Sequence, residues 1–150
     1  MKMKTLIKNN LEQECLFCKI IRHEVPSDIV YENEMVLAFL DINPNSNGHT
    51  LIIPKKHFEN YSSCEDDYLV AIALAKKIVA KKILTALGPL EIKGINYTSN
   101  QGKEAYQVVM HYHEHVIPKY LKNEGYVITN KTNHATLKPN TEIIDLLKIN

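Results

Sequence analysis

The 150-residue sequence has no marked excess of charge, no long apolar run and no even set of cysteines. Its 18 lysine and arginine residues face 17 acidic residues, which leaves a formal net charge of +1 and no basic surface of the kind that binds nucleic acid. No apolar run approaches the roughly 20 residues that a membrane-spanning helix requires. We therefore expect neither nucleic acid nor a membrane as a partner.

The three cysteines and the polar N-terminal segment bear on where the protein works. An odd cysteine count does not indicate a disulfide framework, and the first ten residues contain no apolar core of the kind found in secretion signals. We expect a reducing, cytoplasmic location, in which the thiols are available for metal binding or chemistry. Residues 1–14 are expected to form a flexible tail and residues 15–150 a single domain, because the length suits one core and no repeat or linker divides it.

Apolar periodicity predicts a mixed organisation of helices and strands. Strands are predicted over residues 29–32, 35–40, 49–53, 92–97 and 108–117, and helices over residues 16–22, 64–87 and from residue 141 onward. Ser62 and Glu65 match a capping box at the start of the long helix, and Gly88-Pro89 matches its end. Strands grouped around one long helix indicate an α+β fold with an antiparallel sheet.

The long predicted helix carries a wide apolar surface. Its first apolar stripe contains Leu69, Ile72, Val79, Ile83 and Leu87, and its second apolar face contains Val70, Leu74 and Ile78. Such an arc indicates burial on two sides, either at a subunit interface or beneath the C-terminal segment. Lys76 falls within the first stripe, where only snorkelling of its ammonium group accounts for it.

His111, His113 and His115 stand two residues apart inside the last predicted strand. Side chains two residues apart in a strand point to the same side, so three imidazoles would share one face over about 13 Å. One metal ion with nitrogen bonds of about 2.0–2.1 Å cannot reach all three from a straight strand, so the row is expected to divide between tasks. Imidazole titrates near neutral pH, which suits a nucleophile, an acid and an orienting group. The alternative is an exposed or interfacial polar strand.

Four blocks of the sequence, in this order, resemble the histidine triad (HIT) hydrolases, and in particular their Hint-like branch. They are Cys15-Leu-Phe-Cys18-Lys-Ile-Ile, Val36-Leu-Ala-Phe-Leu-Asp41-Ile, Gly48-His49-Thr-Leu-Ile-Ile-Pro-Lys-Lys-His57 and Gln107-Val-Val-Met-His111-Tyr-His113-Glu-His115-Val-Ile-Pro118. The resemblance covers residues 15–120. It implies a HIT-like fold, with an antiparallel sheet of about five strands, one long helix and short terminal helices, and it implies a homodimer.

The resemblance also implies an activity, the hydrolysis of purine nucleoside phosphoramidates or related nucleotidyl esters through a nucleotidyl-histidine intermediate, with release of a nucleoside monophosphate. His113 corresponds to the nucleophile, His115 lies near the leaving group, and His49 completes the cluster. The implied nucleotide-binding residues are Phe39 and Ile42 around the purine, Asp41 on the ribose, and Asn100 and Gln107 on the phosphate and leaving-group side. By residue type alone, Asp41 is also typical of a turn, His49 of a buried hydrogen-bonded histidine, and Asn100 and Gln107 of loop caps.

Cys15 and Cys18 have the spacing of zinc ligands, but the same pair also suits a redox couple or two packed thiols. The resemblance supplies His57 and His111 as two further ligands, which would complete a closed, structural site for zinc. In that arrangement His111 serves the metal, while His113 and His115 serve the phosphate. Cys64 has no partner at a ligand spacing.

Three residues depart from the family pattern. Glu114 replaces an apolar residue on the side of the strand away from the histidines, Tyr106 stands where relatives carry glycine, and Val108 stands where many carry serine or threonine. Loss of the glycine and the hydroxyl would weaken phosphate binding by about 0.5–1.5 kcal/mol. Two other functions therefore stay open: a dinucleoside polyphosphate hydrolase that uses the same histidine, and a nucleotide-binding scaffold with weak catalysis.

Overall fold

The computed structural model describes residues 12–149 and shows an α+β fold with one five-stranded antiparallel sheet. The strands are β1 (Ile29–Glu32), β2 (Val36–Leu40), β3 (Thr50–Pro54), β4 (Gly94–Thr98) and β5 (Glu114–Lys119), in the spatial order β1-β2-β3-β5-β4. The helices are α1 (Leu16–Ile21), α2 (Asp66–Ala86) and α3 (Asn140–Leu147), and none of these described helices is both long and apolar enough to cross a bilayer. The predicted fold class is confirmed. The predicted N-terminal tail lies outside the described residues as far as residue 11.

The central strands of the sheet are buried on both sides because a helix packs on each face. Every residue of β2 and β3 except Leu40 is buried, as a continuous apolar run in a central strand requires. One face, with Val36 and Ile52, packs on α2. The opposite face, with Leu37 and Ile53, packs on α1. The sheet therefore separates an α1 side from an α2 side, and the alternation of side chains decides which side each strand residue meets.

The fifth strand begins at Glu114, so the prediction of a strand from residue 108 is wrong in its first half. The main chain before Glu114 bonds to the loop after β3, where the Tyr112 amide donates to the Phe58 carbonyl at 2.6 Å. The alternation of sides continues through this segment: Tyr112 packs in the core on the α2 side, and the His113 ring contacts Phe17 of α1. The histidine row therefore lies on the α1 side, although only its last member, His115, belongs to a strand.

The long helix begins at Asp66, two residues later than predicted, and Ser62 and Glu65 do not form its capping box. A capping box is present earlier, between Asn60 and Ser63, where it closes a single 3-10 turn. The acidic first turn of α2 carries its negative charge beside the helix N-terminus, where the helix dipole favours it.

The second apolar face of α2 is exposed. Val70 is 60%, Leu74 is 58% and Ile78 is 46% exposed. No segment within residues 12–149 buries these side chains, so the alternative in which the C-terminal segment covers this face is wrong for the described part of the chain.

Candidate active site

The side chain of His113 is held by the main chain of its own segment. Its Nδ1 lies 2.7 Å from the carbonyl oxygen of His111. A carbonyl only accepts, so Nδ1 carries the hydrogen and Nε2 keeps its lone pair. The ring lies edge-to-face against Phe17, with 5.2 Å between ring centroids, and the residue is 6% exposed. Burial lowers the pKa of His113 and so favours the neutral imidazole.

His49 and His115 form a hydrogen-bonded pair beside Asp41. Nε2 of His49 lies 2.9 Å from Nδ1 of His115. One carboxylate oxygen of Asp41 lies 3.6 Å from Nε2 of His49, while the other accepts a hydrogen bond of 2.9 Å from the Asn43 amide. Asp41 therefore closes a turn, as its sequence position indicated, and also faces the histidine pair.

The histidine cluster as a whole resists protonation. Burial lowers the pKa of His115 to about 4, with further lowering by positive charge on His113 and His49. Burial also lowers the pKa of His49, against a smaller opposing effect of Asp41. The ring centroids of His113 and His115 are 5.1 Å apart. A lone pair on one imidazole beside a second imidazole is an arrangement suited to nucleophilic substitution with assisted departure of a leaving group.

Gln107 is buried, and its side-chain amide is engaged by the main chain. Its oxygen accepts from the Gly102 amide at 2.9 Å, and its nitrogen donates to the carbonyls of Glu59 at 2.7 Å and Val109 at 3.1 Å. These bonds brace the loop that precedes the histidine row. Contact between Gln107 and a nucleotide stays a prediction.

The other predicted nucleotide-binding residues lie at different depths around the cluster. Phe39 is buried on the α1 side of the sheet, whereas Ile42 is 91% exposed. Asn100 directly follows Ser99, whose hydroxyl donates to the His113 carbonyl at 3.0 Å, so this loop adjoins the histidine row. Phe39 packs against Phe17, which contacts His113, and Ile42 follows Asp41 in the chain. The contacts of Phe39, Ile42 and Asn100 with a ligand stay predictions.

Tyr106 and Val108, which depart from the family pattern, are both exposed. Tyr106 is 83% and Val108 is 87% exposed. Tyr106 has a φ of 65°, in the left-handed region, where a residue with a Cβ is strained by about 1–2 kcal/mol. Glycine would avoid that strain.

Cys15, Cys18, His57 and His111 converge from distant parts of the chain. Their four candidate ligand atoms all lie within 4.8 Å of one another, so the group could hold a metal ion. Nδ1 of His111 lies 3.5 Å from each sulfur, and Nδ1 of His57 lies 3.3 Å from the Cys18 sulfur. The two Nδ1 atoms are 3.2 Å apart. His111 therefore faces the cysteines, whereas His113 and His115 face each other, and the roles predicted for the three histidines stay predictions.

Glu114 is buried on the α2 side of β5 and is paired there. The Lys76 ammonium lies 3.0 Å from one carboxylate oxygen, and the Tyr112 hydroxyl donates to the other at 2.7 Å. Lys76 also lies 5.8 Å from the centre of the Tyr97 ring. The sequence contains two signals for this ion pair, a lysine within a buried helical stripe and an acid on the strand face that meets it, but the pairing itself was not predicted.

Comparison with known proteins is consistent across sequence and structure. A family model for the HIT domain matches residues 22–122. The chain is 43% identical over 145 residues to an uncharacterised HIT-like protein of Mycoplasma pneumoniae, and the aligned segment covers 96% of each chain. It is 37% identical over 119 residues to adenosine 5'-monophosphoramidase HNT1 of Saccharomyces cerevisiae, over 79% of this chain and 70% of the relative. The solved structure of a HIT-family protein from Bacillus subtilis matches with a TM-score of 0.77 and 39% identity, over 91% of this chain and 99% of that one.

We predict that acid destabilises the protein through His115. An unfolded chain protonates histidine near pH 6.5, whereas folded His115 resists protonation until about pH 4. The unfolded state therefore binds more protons in this interval, and the free energy of unfolding should fall as the pH is lowered from 6.5 to 4. Urea unfolding should show a shallower decline in His115→Asn than in the wild type. An identical decline in both proteins would contradict the lowered pKa of His115.

Proposed function

The chain belongs to the HIT family of nucleotide hydrolases, and from this premise we propose that it cleaves purine nucleoside phosphoramidates, or related nucleotidyl esters, to release a nucleoside monophosphate. The relative from Saccharomyces cerevisiae is named as an adenosine 5'-monophosphoramidase, which supports an adenylate substrate. The observation that carries the proposal is the lone pair on Nε2 of His113, whose other ring nitrogen is committed to a carbonyl.

His113 acts as the nucleophile in this proposal. Its Nε2 attacks the phosphorus, a bond between nitrogen and phosphorus forms, and the bond from phosphorus to the leaving amine or oxygen breaks. The departing nitrogen or oxygen takes up a proton from water, and the N–H of His115 assists its departure by a hydrogen bond, while His49 holds the His115 ring in place. Water then attacks the nucleotidyl-histidine, which releases the nucleoside monophosphate and restores the imidazole. Two steps with a covalent intermediate replace one more difficult displacement by water.

The nucleotide is proposed to bind beside the loop that follows β2. In this proposal the Asp41 carboxylate accepts hydrogen bonds from the ribose hydroxyls. One of its oxygens lies 3.6 Å from Nε2 of His49, close to the histidine pair. Ile42 offers an exposed apolar side chain to one face of the purine, and Phe39 forms the buried wall behind it. Asn100 contacts the phosphate side, and Gln107 supports that side through the loop it braces.

Zinc is the metal that we propose for the cluster of Cys15, Cys18, His57 and His111. Tetrahedral zinc with sulfur bonds of about 2.3 Å and nitrogen bonds of about 2.05 Å would separate two nitrogens by about 3.3 Å and a sulfur from a nitrogen by about 3.5 Å. The corresponding distances are 3.2 Å between the nitrogens and 3.3 to 3.5 Å between sulfur and nitrogen. Four protein ligands leave no open position, so the metal would fasten α1 to the histidine row without taking part in the reaction. Such thiolate ligands must stay reduced, which agrees with a cytoplasmic location.

A homodimer is proposed through the exposed apolar face of α2. Val70, Leu74 and Ile78 present adjacent apolar side chains along one side of the helix, and each is about half exposed. An uncovered apolar stripe of this kind is typical of a surface that a second subunit buries.

We predict that His113→Ala lowers kcat for adenosine 5'-phosphoramidate by roughly 10³-fold or more, because no other nitrogen takes the place of Nε2. Circular dichroism should show an unchanged fold, and the exposed His134→Ala should keep wild-type kinetics as a matched control. Retained turnover in His113→Ala would show that the nucleophile is misassigned. Faster wild-type turnover of diadenosine tetraphosphate than of the phosphoramidate would favour a dinucleoside polyphosphate hydrolase instead.

Protein purified without chelator should contain one zinc ion per chain, measured by atomic emission. Cys18→Ser should lose the metal and several kcal/mol of stability, because binding free energy at a structural site adds to folding free energy. Cys64→Ser, which alters a thiol outside the cluster, should retain the zinc. A metal-free wild-type protein would refute the zinc site.

Light scattering at micromolar concentration should give the mass of a dimer for the wild type and of a monomer for Leu74→Arg. The charged side chain would have to be buried without a partner at the interface. Leu146→Arg, at an exposed leucine of α3, is the control and should stay dimeric. A monomeric wild type would contradict the proposed interface.

A further inference from the structure

We propose that the main-chain amide of Asn45 fixes which nitrogen carries the hydrogen in both His49 and His115, and that it thereby reserves this histidine pair for hydrogen-bond donation and closes it to metal ions. The catalytic consequence rests on the proposed function. The placement of the hydrogens and the exclusion of metal do not depend on it.

The first step concerns His49. The Asn45 amide donates to Nδ1 of His49 at 3.1 Å. A main-chain amide has a hydrogen and no lone pair to offer, so Nδ1 must be the accepting nitrogen. Neutral His49 therefore carries its hydrogen on Nε2.

The second step carries this choice to His115. Nε2 of His49 lies 2.9 Å from Nδ1 of His115. Because His49 is the donor in this bond, Nδ1 of His115 accepts, and neutral His115 carries its own hydrogen on Nε2. His113 has the opposite arrangement, since its Nδ1 donates to a carbonyl. Two neighbouring imidazoles, with centroids 5.1 Å apart, thus present a lone pair on one Nε2 and a hydrogen on the other.

This pair of tautomers matches the two requirements of a displacement at phosphorus. The lone pair of His113 can attack, and the hydrogen of His115 can bond to the departing nitrogen or oxygen. If His115 carried its hydrogen on Nδ1, its Nε2 would compete with His113 as a second acceptor and would offer the leaving group nothing.

The same hydrogens decide where a metal ion can bind. Asp41, His49 and His115 place one donor atom each within 4.8 Å, and two histidines with one carboxylate are a common metal-binding set. A neutral histidine that binds a metal through Nε2 must carry its hydrogen on Nδ1. In His49 that hydrogen would point at the hydrogen of the Asn45 amide. The main chain therefore opposes metal binding at this cluster.

The cysteine cluster shows the reverse choice in the same protein. Nε2 of His111 lies 2.9 Å from the Pro54 carbonyl oxygen, so it carries the hydrogen and leaves Nδ1 free towards the two sulfurs. A carbonyl thus prepares one histidine to bind metal, and an amide prevents another from doing so.

The Asn45 peptide is held firmly enough to impose its choice. The next residue, Ser46, accepts from the His49 amide at 3.1 Å through its carbonyl, and its hydroxyl donates to the Pro118 carbonyl at 2.5 Å. Gly125, with a φ of 66°, packs so closely that a Cβ there would come within 2.6 Å of the Asn45 carbonyl oxygen. The turn is therefore fixed against the end of β5 on one side and against Gly125 on the other.

Nitrogen NMR tests the placement of the hydrogens directly. Long-range proton–nitrogen correlations of the zinc-loaded, uniformly labelled protein at pH 7 distinguish a protonated ring nitrogen from one with a lone pair, and single His→Gln variants assign the signals. We expect the hydrogen on Nε2 of His49 and of His115, and on Nδ1 of His113. A hydrogen on Nδ1 of either His49 or His115 would overturn the proposal, whatever the activity of the protein.

Two variants of His49 test the catalytic consequence. His49→Gln keeps an N–H that can reach Nδ1 of His115, whereas His49→Met has a similar volume and no donor. In His49→Met, His115 should show both tautomers, and kcat for adenosine 5'-phosphoramidate should fall at least about tenfold below that of His49→Gln, with a similar KM. The same His115 tautomer and the same kcat in the two variants would contradict the inference. An inactive wild type would refute the proposed function but leave the NMR result as the test of the hydrogens.

Titration with Co²⁺ tests the exclusion of metal. The metal-free protein should bind one equivalent, with the intense absorption of a thiolate-bound ion, and Asp41→Asn should bind the same single equivalent. A second equivalent that disappears in Asp41→Asn would show that the cluster of Asp41, His49 and His115 accepts a metal.

Discussion

The proposed chemistry depends on one hydrogen bond, from Nδ1 of His113 to the carbonyl oxygen of His111. A histidine can attack phosphorus only from a nitrogen that carries no hydrogen, and this bond decides which nitrogen that is. The carbonyl is available because the segment of residues 111–113 precedes β5, so its main-chain groups do not pair with β3 or β4. The departure from strand geometry, which the sequence did not predict, thus permits a main-chain group to orient His113, the proposed nucleophile.

The sheet separates the histidine row on its α1 side from the long helix on its α2 side. On the α1 side lie the histidine row, Phe17 and the cysteine cluster. On the α2 side, the intervening residues Tyr112 and Glu114 are tied to the long helix through Lys76. Removal of Lys76, which is itself only partly buried, would leave the buried Glu114 carboxylate without its cation. Alternation along a single short segment therefore connects the histidine row to the hydrophobic core on the α2 side.

Much of this organisation is predictable from the sequence, and the reasons are local. Continuous apolar runs predict the central strands, and a helical stripe predicts α2, because both patterns are visible in the sequence without knowledge of the residues they pack against. The convergence of Cys15, Cys18, His57 and His111 is not local, since nearly a hundred residues separate Cys15 from His111, and it was implied by the resemblance to the HIT family.

The features that escaped prediction depend on partners far away in the chain. The start of β5 depends on the Phe58 carbonyl, which captures the Tyr112 amide before a strand can pair with it. The capping box expected of Ser62 and Glu65 does not form, because Ser62 lies inside the 3-10 turn that Asn60 and Ser63 close. The ion pair of Lys76 with Glu114 could not be predicted, because a lysine in a helix does not specify which distant acid it meets. The same holds for Gln107, whose side-chain amide bonds to the carbonyl of Glu59.

The central claim is that Nε2 of His113 attacks phosphorus and forms a covalent bond to it. Mass spectrometry of the enzyme stopped during turnover tests this claim most directly. Protein mixed with adenosine 5'-phosphoramidate, quenched within the first turnover and digested under conditions that preserve phosphorus–nitrogen bonds, should carry an adenylyl group on His113. An adenylyl group on a different residue, or rapid release of product with no adduct on any histidine, would contradict the account.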